Sequence, residues 1–378
     1  IQYAGMITGT PGLIGTSFNG RHYLNLVKNP YTHLLLRDVS ILSGACMAME
    51  KSLFFEIGGF DALNTPAGHS DLDLSLRIAE RNLRCVYTPY SILTHVGNHS
   101  WEEKNSVDKA DIFCLKRWGN YLERDRYFTD SMKKMFYNDF NFTYKIYSPK
   151  NLVVPARDDS RDILFLSHEL TRTGAPVVLM NMVKIVLENG DFPVVLCPVD
   201  GPLRQEFLKM GVTVIIDESF TLGHWTFEHF ARNFDIANTL ACANAVKLLE
   251  KSIPPVLWWI HEGTFAYKHF KNILPNKLGE KIKIYPVSEY VQSILEEKHL
   301  KCREGLLPYG VDDIRVNNKM QLSNQNDYLF LMIGSIERRK GQDILLDAID
   351  FLPEQYKKKA QFAFVGNTLE KTLSKRLL

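Results

Sequence analysis

The run Ile163-Leu-Phe-Leu166, followed by a polar loop and by an amphipathic helical pattern over residues 175–188, decides the fold class. Further short apolar runs follow along the chain, at residues 194–196, 212–216, 256–260 and 282–287. Helical patterns separate several of these runs. Strands that alternate with helices predict βαβ units and a parallel sheet. We therefore expect an α/β fold with a Rossmann-like centre.

The parts of the chain that flank this stretch differ from it in composition. Residues 1–147 mix short apolar runs with Gly and Pro, and residues 148–161 are polar, contain Pro and read as a linker. The α/β stretch is expected over 162–322, and a further strand–loop–helix unit over 323–378. Ile1 is not a methionine, and an apolar strand pattern lies close to Leu378. We therefore expect the sequence to be a segment of a protein that is longer at both ends.

Composition excludes several classes of protein. The chain has 378 residues, of which 45% are hydrophobic and 23% charged, as is typical of globular domains. A formal net charge of +2 without a clustered basic face predicts no nucleic-acid partner. The six cysteines contain no C-x-x-C pair, which favours a reducing compartment. No apolar run is long enough to cross a bilayer, so a cytoplasmic location is expected.

In the first part, Ser70-Asp-Leu-Asp73 opens a predicted helix. Ser70 with Asp73 three positions later fits a capping box, and acidic residues favour the first helical turn in any case. Asp71 and Asp73 are about 200° apart around a helix, so both cannot face one site. If one of them is catalytic, the other is structural. The cap is assigned to Asp73, which leaves Asp71 as the catalytic candidate; a purely structural pair is the alternative.

The surroundings of this helix resemble the second half of family 2 glycosyltransferases with the GT-A fold. The resemblance covers about residues 1–145 and rests on ordered blocks: Val39-Ser-Ile-Leu-Ser-Gly-Ala-Cys46, Phe55-Glu-Ile-Gly-Gly-Phe-Asp61, Ser70-Asp-Leu-Asp-Leu-Ser-Leu-Arg77, Tyr87-Thr-Pro-Tyr90, Leu93-Thr-His95 and Arg117-Trp-Gly119. It implies an inverting transfer of a sugar from a nucleotide-sugar donor, with Mg²⁺ or Mn²⁺ as the cofactor of the complete module.

The resemblance also implies roles for particular residues. Asp71 would be the general base that accepts the proton of the acceptor hydroxyl, a task that suits an ionised carboxylate. Gly44 and Ala45 would line the sugar pocket, and His95 would contact the metal or the diphosphate; a hydrogen-bonded surface histidine is the alternative. The Asp-x-Asp motif that holds the metal in this family is expected before Ile1, and Ser70 replaces the usual Glu.

The α/β stretch carries polar residues where its predicted strands end. The loop Ser167-His-Glu-Leu-Thr-Arg-Thr-Gly-Ala-Pro176 follows the first strand, and Gly174 there would let a phosphate approach the helix N-terminus. His261 and Glu262 end a strand at the sheet edge where α/β proteins bind ligands. The basic loop at residues 338–340 would neutralise a leaving diphosphate. A simple turn and a solvated basic turn are the alternatives for the two loops.

Together these blocks resemble family 4 glycosyltransferases with the GT-B fold, over about residues 160–378. The blocks Val287-Ser-Glu289 and Leu307-Pro-Tyr-Gly-Val-Asp312 add to the match. The resemblance implies a retaining transfer that needs no metal, with Arg339 and Lys340 at the leaving diphosphate, Gly174 in the phosphate-facing loop, His261 near the reacting sugar and Glu262 on the acceptor side. Ser335 replaces an Arg of many relatives, and the paired glutamates of the family are expected after Leu378.

The sequence thus predicts part of a bifunctional glycosyltransferase of the hexosyltransferase type: a partial GT-A domain, a Rossmann-like GT-B N-terminal domain and the start of a GT-B C-terminal domain. The expected partners are a UDP- or GDP-sugar and a glycan or lipid-linked acceptor in polysaccharide or glycoprotein assembly, either in the cytoplasm or peripherally at the inner membrane face. Two alternatives stay open. One is an inactive glycan- or partner-binding scaffold, and the other is a nucleotide-sugar epimerase or dehydrogenase, which the absence of a G-x-G-x-x-G motif disfavours.

Overall fold

The computed structural model describes residues 3–17, 34–66, 68–94, 109–136, 143–155, 157, 159–222, 232–250, 253–275, 277–300, 305–311, 328–368 and 372. The chain divides into two compact units, Ile1–Val311 and Asp312–Leu378. Among the residues described, no helix is both long enough and apolar enough to span a membrane.

The first stretch of the larger unit consists of short strands and four helices. Two antiparallel pairs, β1 with β2 and β3 with β4, are accompanied by helices α1 to α4. The elements are β1 (Met6–Thr10), β2 (Leu13–Thr16), β3 (Arg37–Val39), α1 (Lys51–Glu56), α2 (Ser70–Glu80), β4 (Cys85–Tyr87), α3 (Lys109–Glu123) and α4 (Asp130–Phe136).

A seven-stranded sheet forms the centre of the same unit. Its strands are β5 (Tyr144–Tyr147), β6 (Asp162–Leu166), β7 (Phe192–Cys197), β8 (Thr213–Asp217), β9 (Phe234–Asn238), β10 (Val256–Ile260) and β11 (Ile282–Pro286). The helices between and after them are α5 (Gly174–Glu188), α6 (Leu203–Lys209), α7 (Ala243–Leu249), α8 (Thr264–Phe270) and α9 (Glu289–Glu297). The predicted α/β fold with a mostly parallel sheet is confirmed.

The order of the strands across the sheet is β11-β10-β9-β6-β7-β8-β5. Six of them, β6 to β11, run parallel and have the doubly wound order in which the chain leaves the first strand in both directions. The reversal of direction falls between β6 and β9, and the carboxyl ends of these two strands therefore flank a crevice. The seventh strand, β5, pairs antiparallel with β8 at the sheet edge.

Both faces of the sheet are covered, which explains why its strands read as continuous apolar runs. Phe165 packs on one face with Leu179 of α5 and Phe207 of α6. Leu166, one residue later and on the opposite face, belongs to a cluster that also contains Trp118 of α3. The core of the first stretch is therefore continuous with one face of the sheet.

Helix α2 begins where the sequence predicts, but the capping box does not form. His69, with a positive φ of 57°, is the residue before the helix, and no side chain caps its N-terminus. The Asp73 carboxylate is fully buried and accepts hydrogen bonds from Arg77 Nε at 2.8 Å and from Trp118 Nε1 at 2.9 Å. The predicted structural role of Asp73 is thus correct and its predicted partner is wrong. An indole and a guanidinium from packed neighbours bind the carboxylate instead of the helix backbone.

The described part of the smaller unit, residues 328–368, forms a β-α-β unit. Strands β12 (Tyr328–Ile333) and β13 (Ala360–Val365) pair in parallel, and α10 (Gln342–Asp350) and α11 (Glu354–Lys357) lie between them in the chain. A turn at Arg338–Lys340 joins β12 to α10, so the predicted strand–loop–helix order is observed.

Candidate functional site

Polar side chains from three neighbouring strands meet at the carboxyl edge of the sheet. His168 follows β6, Asn238 ends β9 and Thr239 directly follows it, and His261 and Glu262 follow β10. We call these five residues the sheet-edge cluster. It lies at the reversal of strand order, the position where doubly wound sheets bind their ligands.

A hydrogen bond to Asn238 orients the imidazole ring of His261, and two aromatic rings lie near it. Its Nε2 lies 2.7 Å from Asn238 Oδ1, while Asn238 Nδ2 donates to the Ala175 carbonyl at 2.9 Å. Because a carbonyl only accepts, the Asn238 amide is fixed with its oxygen toward the histidine, so His261 Nε2 carries the proton. The centroid of the ring lies 4.5 Å from that of Trp259 and 5.9 Å from that of Tyr309.

The loop that carries Tyr309 is anchored on the sheet. Trp259 Nε1 donates to the Leu307 carbonyl at 2.8 Å, and the Leu307 amide donates to Pro286 at the end of β11. The block Leu307-Pro-Tyr-Gly is therefore held against the same edge as His261.

Both histidines of the cluster are uncharged at neutral pH. Burial lowers the pKa of His261 to about 4, and the nearby His168 imidazole adds to this effect. Burial also lowers the pKa of His168, against the opposing attraction of Glu169. Neutral imidazoles donate and accept hydrogen bonds without attracting anions, so the cluster is suited to neutral hydroxyl groups.

Glu262 is a buried carboxyl group that is bonded to the backbone. Its Oε1 and Oε2 lie 3.1 and 3.2 Å from the Leu240 nitrogen, and Oε2 also accepts the His261 amide at 3.2 Å. Burial raises the pKa of Glu262, and these hydrogen bonds oppose that increase. The sequence prediction placed Glu262 correctly at the strand end, beside His261.

His168, Asn238 and Thr239 were not singled out from the sequence. Thr239 Oγ1 lies 3.3 Å from His168 Nδ1, which joins the ends of β6 and β9 across the crevice. The signal for His168 was present, since Ser167-His-Glu follows a strand. No local pattern marks Asn238 or Thr239, because their place depends on which strands pair.

Gly174 is the first residue of α5, and a Cβ built on it would meet nothing within 4 Å. The loop before it is held by Glu169, whose Oε1 accepts hydrogen bonds from the Thr171 and Thr173 hydroxyls at 2.7 and 3.1 Å. The space beside Gly174 and the free N-terminal amides of a fifteen-residue helix would accommodate an anion.

In the first stretch, the structure brings Asp71 and Gly44 together. Asp71 Oδ2 accepts the Gly44 amide at 3.0 Å, and Oδ1 accepts the amide of Leu72 at 2.9 Å. Gly44 and Ala45 are exposed beside the partly buried Asp71. His95 lies outside the described residues. Within the described ranges, no group of three or more His, Cys, Asp or Glu residues could hold a metal ion.

In the smaller unit, the two candidate cations of the basic loop, Arg339 and Lys340, have different surroundings. Arg339 Nη2 donates to Glu337 Oε1 at 2.7 Å, and Gln342 Nε2 fixes the Ser335 carbonyl at 2.8 Å. Within the part of the chain that the structure describes, no acidic side chain lies within ion-pair distance of Lys340.

The residues around the sheet-edge cluster match the model of a known protein family. Residues 159–301 match the model of Glycosyl-transferase family 4. The uncharacterized protein y4gI of Sinorhizobium fredii is 27% identical over 128 residues, which are 33% of this chain and 13% of that protein.

Among solved structures, Anabaena Alr3699/HepE matches with 17% identity and a TM-score of 0.46, both in complex with UDP and glucose and in complex with UDP-glucose. The match covers 57% of this chain and 64% of that one. The chain therefore spans less than two thirds of the relatives it matches. Residues 159–301, which contain the whole sheet-edge cluster, form a glycosyltransferase family 4 domain.

Proposed function

We propose that the protein transfers sugars from nucleotide-sugar donors to a growing glycan, with the sheet-edge cluster as the acceptor-side site of a retaining module. The uncharged imidazoles of the cluster and their fixed hydrogen-bond partners carry this proposal. His168, Asn238 and His261 offer neutral donors and acceptors, and aromatic rings flank His261. Such a surface complements sugar hydroxyls, whereas a diphosphate needs cations or helix N-termini.

The charged part of the donor requires other groups. Lys340, together with Arg339, supplies cations in the smaller unit, and Gly174 opens the N-terminus of α5 to a phosphate. We assign Arg339 and Lys340 to the leaving diphosphate, whose negative charge grows during transfer, and Gly174 to the phosphate-facing loop of the larger unit. This module uses no metal in the proposed mechanism.

The structure also bears on the two alternatives from other classes. A dinucleotide-dependent epimerase needs a glycine-rich turn where β6 meets α5, and Gly174 is the only glycine of that loop. A binding scaffold would not require an ordered imidazole with a fixed tautomer. We therefore prefer the enzyme, and loss of turnover in the variants below is what separates it from a scaffold.

We propose a second, inverting activity for the first stretch, with Asp71 as the general base, Gly44 and Ala45 beside the sugar, and Mg²⁺ or Mn²⁺ as the cofactor of the complete GT-A module. The specific observation is the Gly44 amide on Asp71 Oδ2, which fixes the carboxylate beside exposed small residues. His95 is proposed as a metal or diphosphate contact. The acceptor is proposed to be a glycan or a lipid-linked glycan, met in the cytoplasm or peripherally at the inner membrane face.

Nucleotide release from UDP-glucose and from GDP-mannose by the longer protein of which the sequence predicts this chain to be a part, with and without Mn²⁺, tests these assignments. His261→Ala and Lys340→Ala are expected to lower the metal-independent activity by roughly 10²-fold, because each removes a contact to the reacting groups. Asp71→Asn is expected to lower only the metal-dependent activity, by about 10²- to 10⁴-fold. His269→Ala, an exposed histidine on α8, is the matched control and should change neither. Unchanged turnover in the first three variants would overturn the assignments.

A further inference from the structure

Asn238 is a fully buried residue whose side-chain amide has two different partners. Its Nδ2 donates a hydrogen bond to the Ala175 carbonyl at 2.9 Å, and its Oδ1 lies 2.7 Å from His261 Nε2. Asn238 ends β9, Ala175 lies in the first turn of α5, and His261 directly follows β10. One side chain thus joins the N-terminal turn of a helix to the imidazole at the carboxyl edge of the sheet.

The helix determines which way the Asn238 amide points. The Ala175 carbonyl belongs to the backbone of a fifteen-residue helix, and a carbonyl can only accept a hydrogen bond. Reversing the amide would place Asn238 Oδ1 against this carbonyl oxygen and would leave two acceptors in contact without a proton between them, an arrangement that buried polar groups avoid. The oxygen of the Asn238 amide therefore faces the histidine.

The chemistry of an asparagine selects one tautomer of His261. Burial lowers the pKa of His261 to about 4, so the ring carries a single N–H at neutral pH. Because Asn238 Oδ1 only accepts, that N–H is on Nε2, and Nδ1 carries a lone pair. A hydroxyl group in the place of the amide could donate as well as accept and would select neither tautomer. A carboxylate there would favour the charged imidazolium.

The second ring nitrogen, His261 Nδ1, is an acceptor whose hydrogen bond is not made within the described residues. None of these residues forms a hydrogen bond to it, and His261 is partly exposed. The aromatic rings of Trp259 and Tyr309 lie beside the imidazole. An oriented acceptor next to apolar rings suits a ligand that combines hydroxyl groups with C–H faces, as a sugar does.

We propose that Asn238 is a positioning residue that holds His261 as the Nε2–H tautomer, so that His261 Nδ1 accepts a hydrogen bond from a hydroxyl group of the sugar at the sheet edge. The sugar as the ligand rests on the proposed function, whereas the tautomer rests on the two hydrogen bonds of Asn238. Because the second of these bonds ends on Ala175, the imidazole also keeps a fixed place relative to the first turn of α5.

The ¹⁵N chemical shifts of the imidazole nitrogens at pH 7 test the tautomer on the full chain, independently of any activity. Wild-type His261 should show a protonated Nε2 and an unprotonated Nδ1, and Asn238→Ala should yield a mixture of tautomers. Asn233→Ala is the matched control and should keep the wild-type signature, because Asn233 Oδ1 accepts the Asp162 amide at the opposite end of β9, at 2.7 Å. A wild-type His261 protonated at Nδ1 would overturn the proposal without bearing on the proposed function, and an unchanged tautomer in Asn238→Ala would refute the positioning role.

Two substitutions of His261 in the longer protein test the hydrogen bond at Nδ1. Asparagine is short and places a polar atom near the position of Nδ1, whereas the longer glutamine places one near Nε2. His261→Asn should therefore keep a kcat/KM with UDP-glucose about tenfold or more above that of His261→Gln. Asn238→Ala should lower kcat/KM by about tenfold or more, while Asn233→Ala stays within about threefold of the wild type.

The outcomes separate the two proposals. Equal losses in His261→Asn and His261→Gln would refute the hydrogen bond at Nδ1. A wild type with the expected tautomer but no turnover of any nucleotide sugar would instead refute the proposed function.

Discussion

At the scale of single residues, the lowered pKa of His261 makes the free energy of unfolding depend on pH. Its pKa of about 4 in the folded chain lies below the ordinary value of 6.5. Between these two pH values the unfolded chain binds a proton that the folded chain excludes. This group therefore destabilises the folded state as the pH falls from 6.5 toward 4.

We expect the free energy of unfolding to fall by at most about 1.4 kcal/mol per pH unit from this histidine in that window. Glu262, whose pKa is raised, acts in the opposite direction just above its ordinary value of 4.5. Urea unfolding of the wild type and of His261→Gln between pH 7 and pH 5 isolates the histidine. The variant should lose less stability on acidification, and equal losses in the two proteins would contradict the assigned pKa.

Residue chemistry could be predicted from sequence only where it depends on near neighbours. His261 and Glu262 could be assigned because they directly follow an apolar run that ends at a sheet edge. Thr239 could not, because its role requires that β9 lie between β6 and β10. Asp73 shows the same limit: its acidic type and helical position predict a cap, but a tryptophan 45 positions later binds it.

At the scale of elements, the loop between β6 and α5 is shaped by a close approach of the backbone. A Cβ on Gly201 would lie 2.4 Å from the Leu170 carbonyl oxygen, so only glycine fits against this loop. At Gly174, by contrast, a Cβ would find open space. Gly174 directly follows the loop that carries His168 and Glu169, and Gly201 packs against that loop.

Gly201→Ala is expected to destabilise the protein by roughly 1–3 kcal/mol, because the backbone of the loop must move away. Gly174→Ala is the matched control and should leave the melting temperature unchanged or slightly higher, since alanine is the better helix former. Thermal unfolding of both variants measures the difference. A Gly201→Ala protein as stable as Gly174→Ala would show that the loop is not held by this contact.

The strands of the sheet could be predicted closely, and the physical reason is their burial on both faces. Continuous apolar runs mark β6 and β10 to within a residue of their observed ends. The order of the strands, and so the crevice between β6 and β9, follows from pairing between residues about 70 positions apart. No local pattern contains that information, and Asn238 and Thr239 were missed for this reason.

At the scale of the whole molecule, the first stretch contributes a strand to the sheet of the family 4 domain. Strand β5 pairs with β8 from Tyr144↔Asp217 to Tyr147↔Val214, which covers an otherwise open edge. A fragment of residues 148–311 should therefore self-associate more than a fragment of residues 143–311, which retains β5. Light scattering at matched concentrations compares the two fragments. Equal self-association would show that pairing with β5 does not protect the β8 edge of the sheet from other chains.

The packing of Gly119 against this strand end has a further consequence. A Cβ at Gly119 of α3 would lie 2.4 Å from the hydroxyl oxygen of Ser148, the residue directly after β5. The segment that leads from β5 to β6 is thus packed against α3 where it begins, and it cannot act there as a tether of adjustable length. The first stretch and the family 4 domain should therefore melt in one cooperative transition, and an insertion directly after β5 should lower the melting temperature.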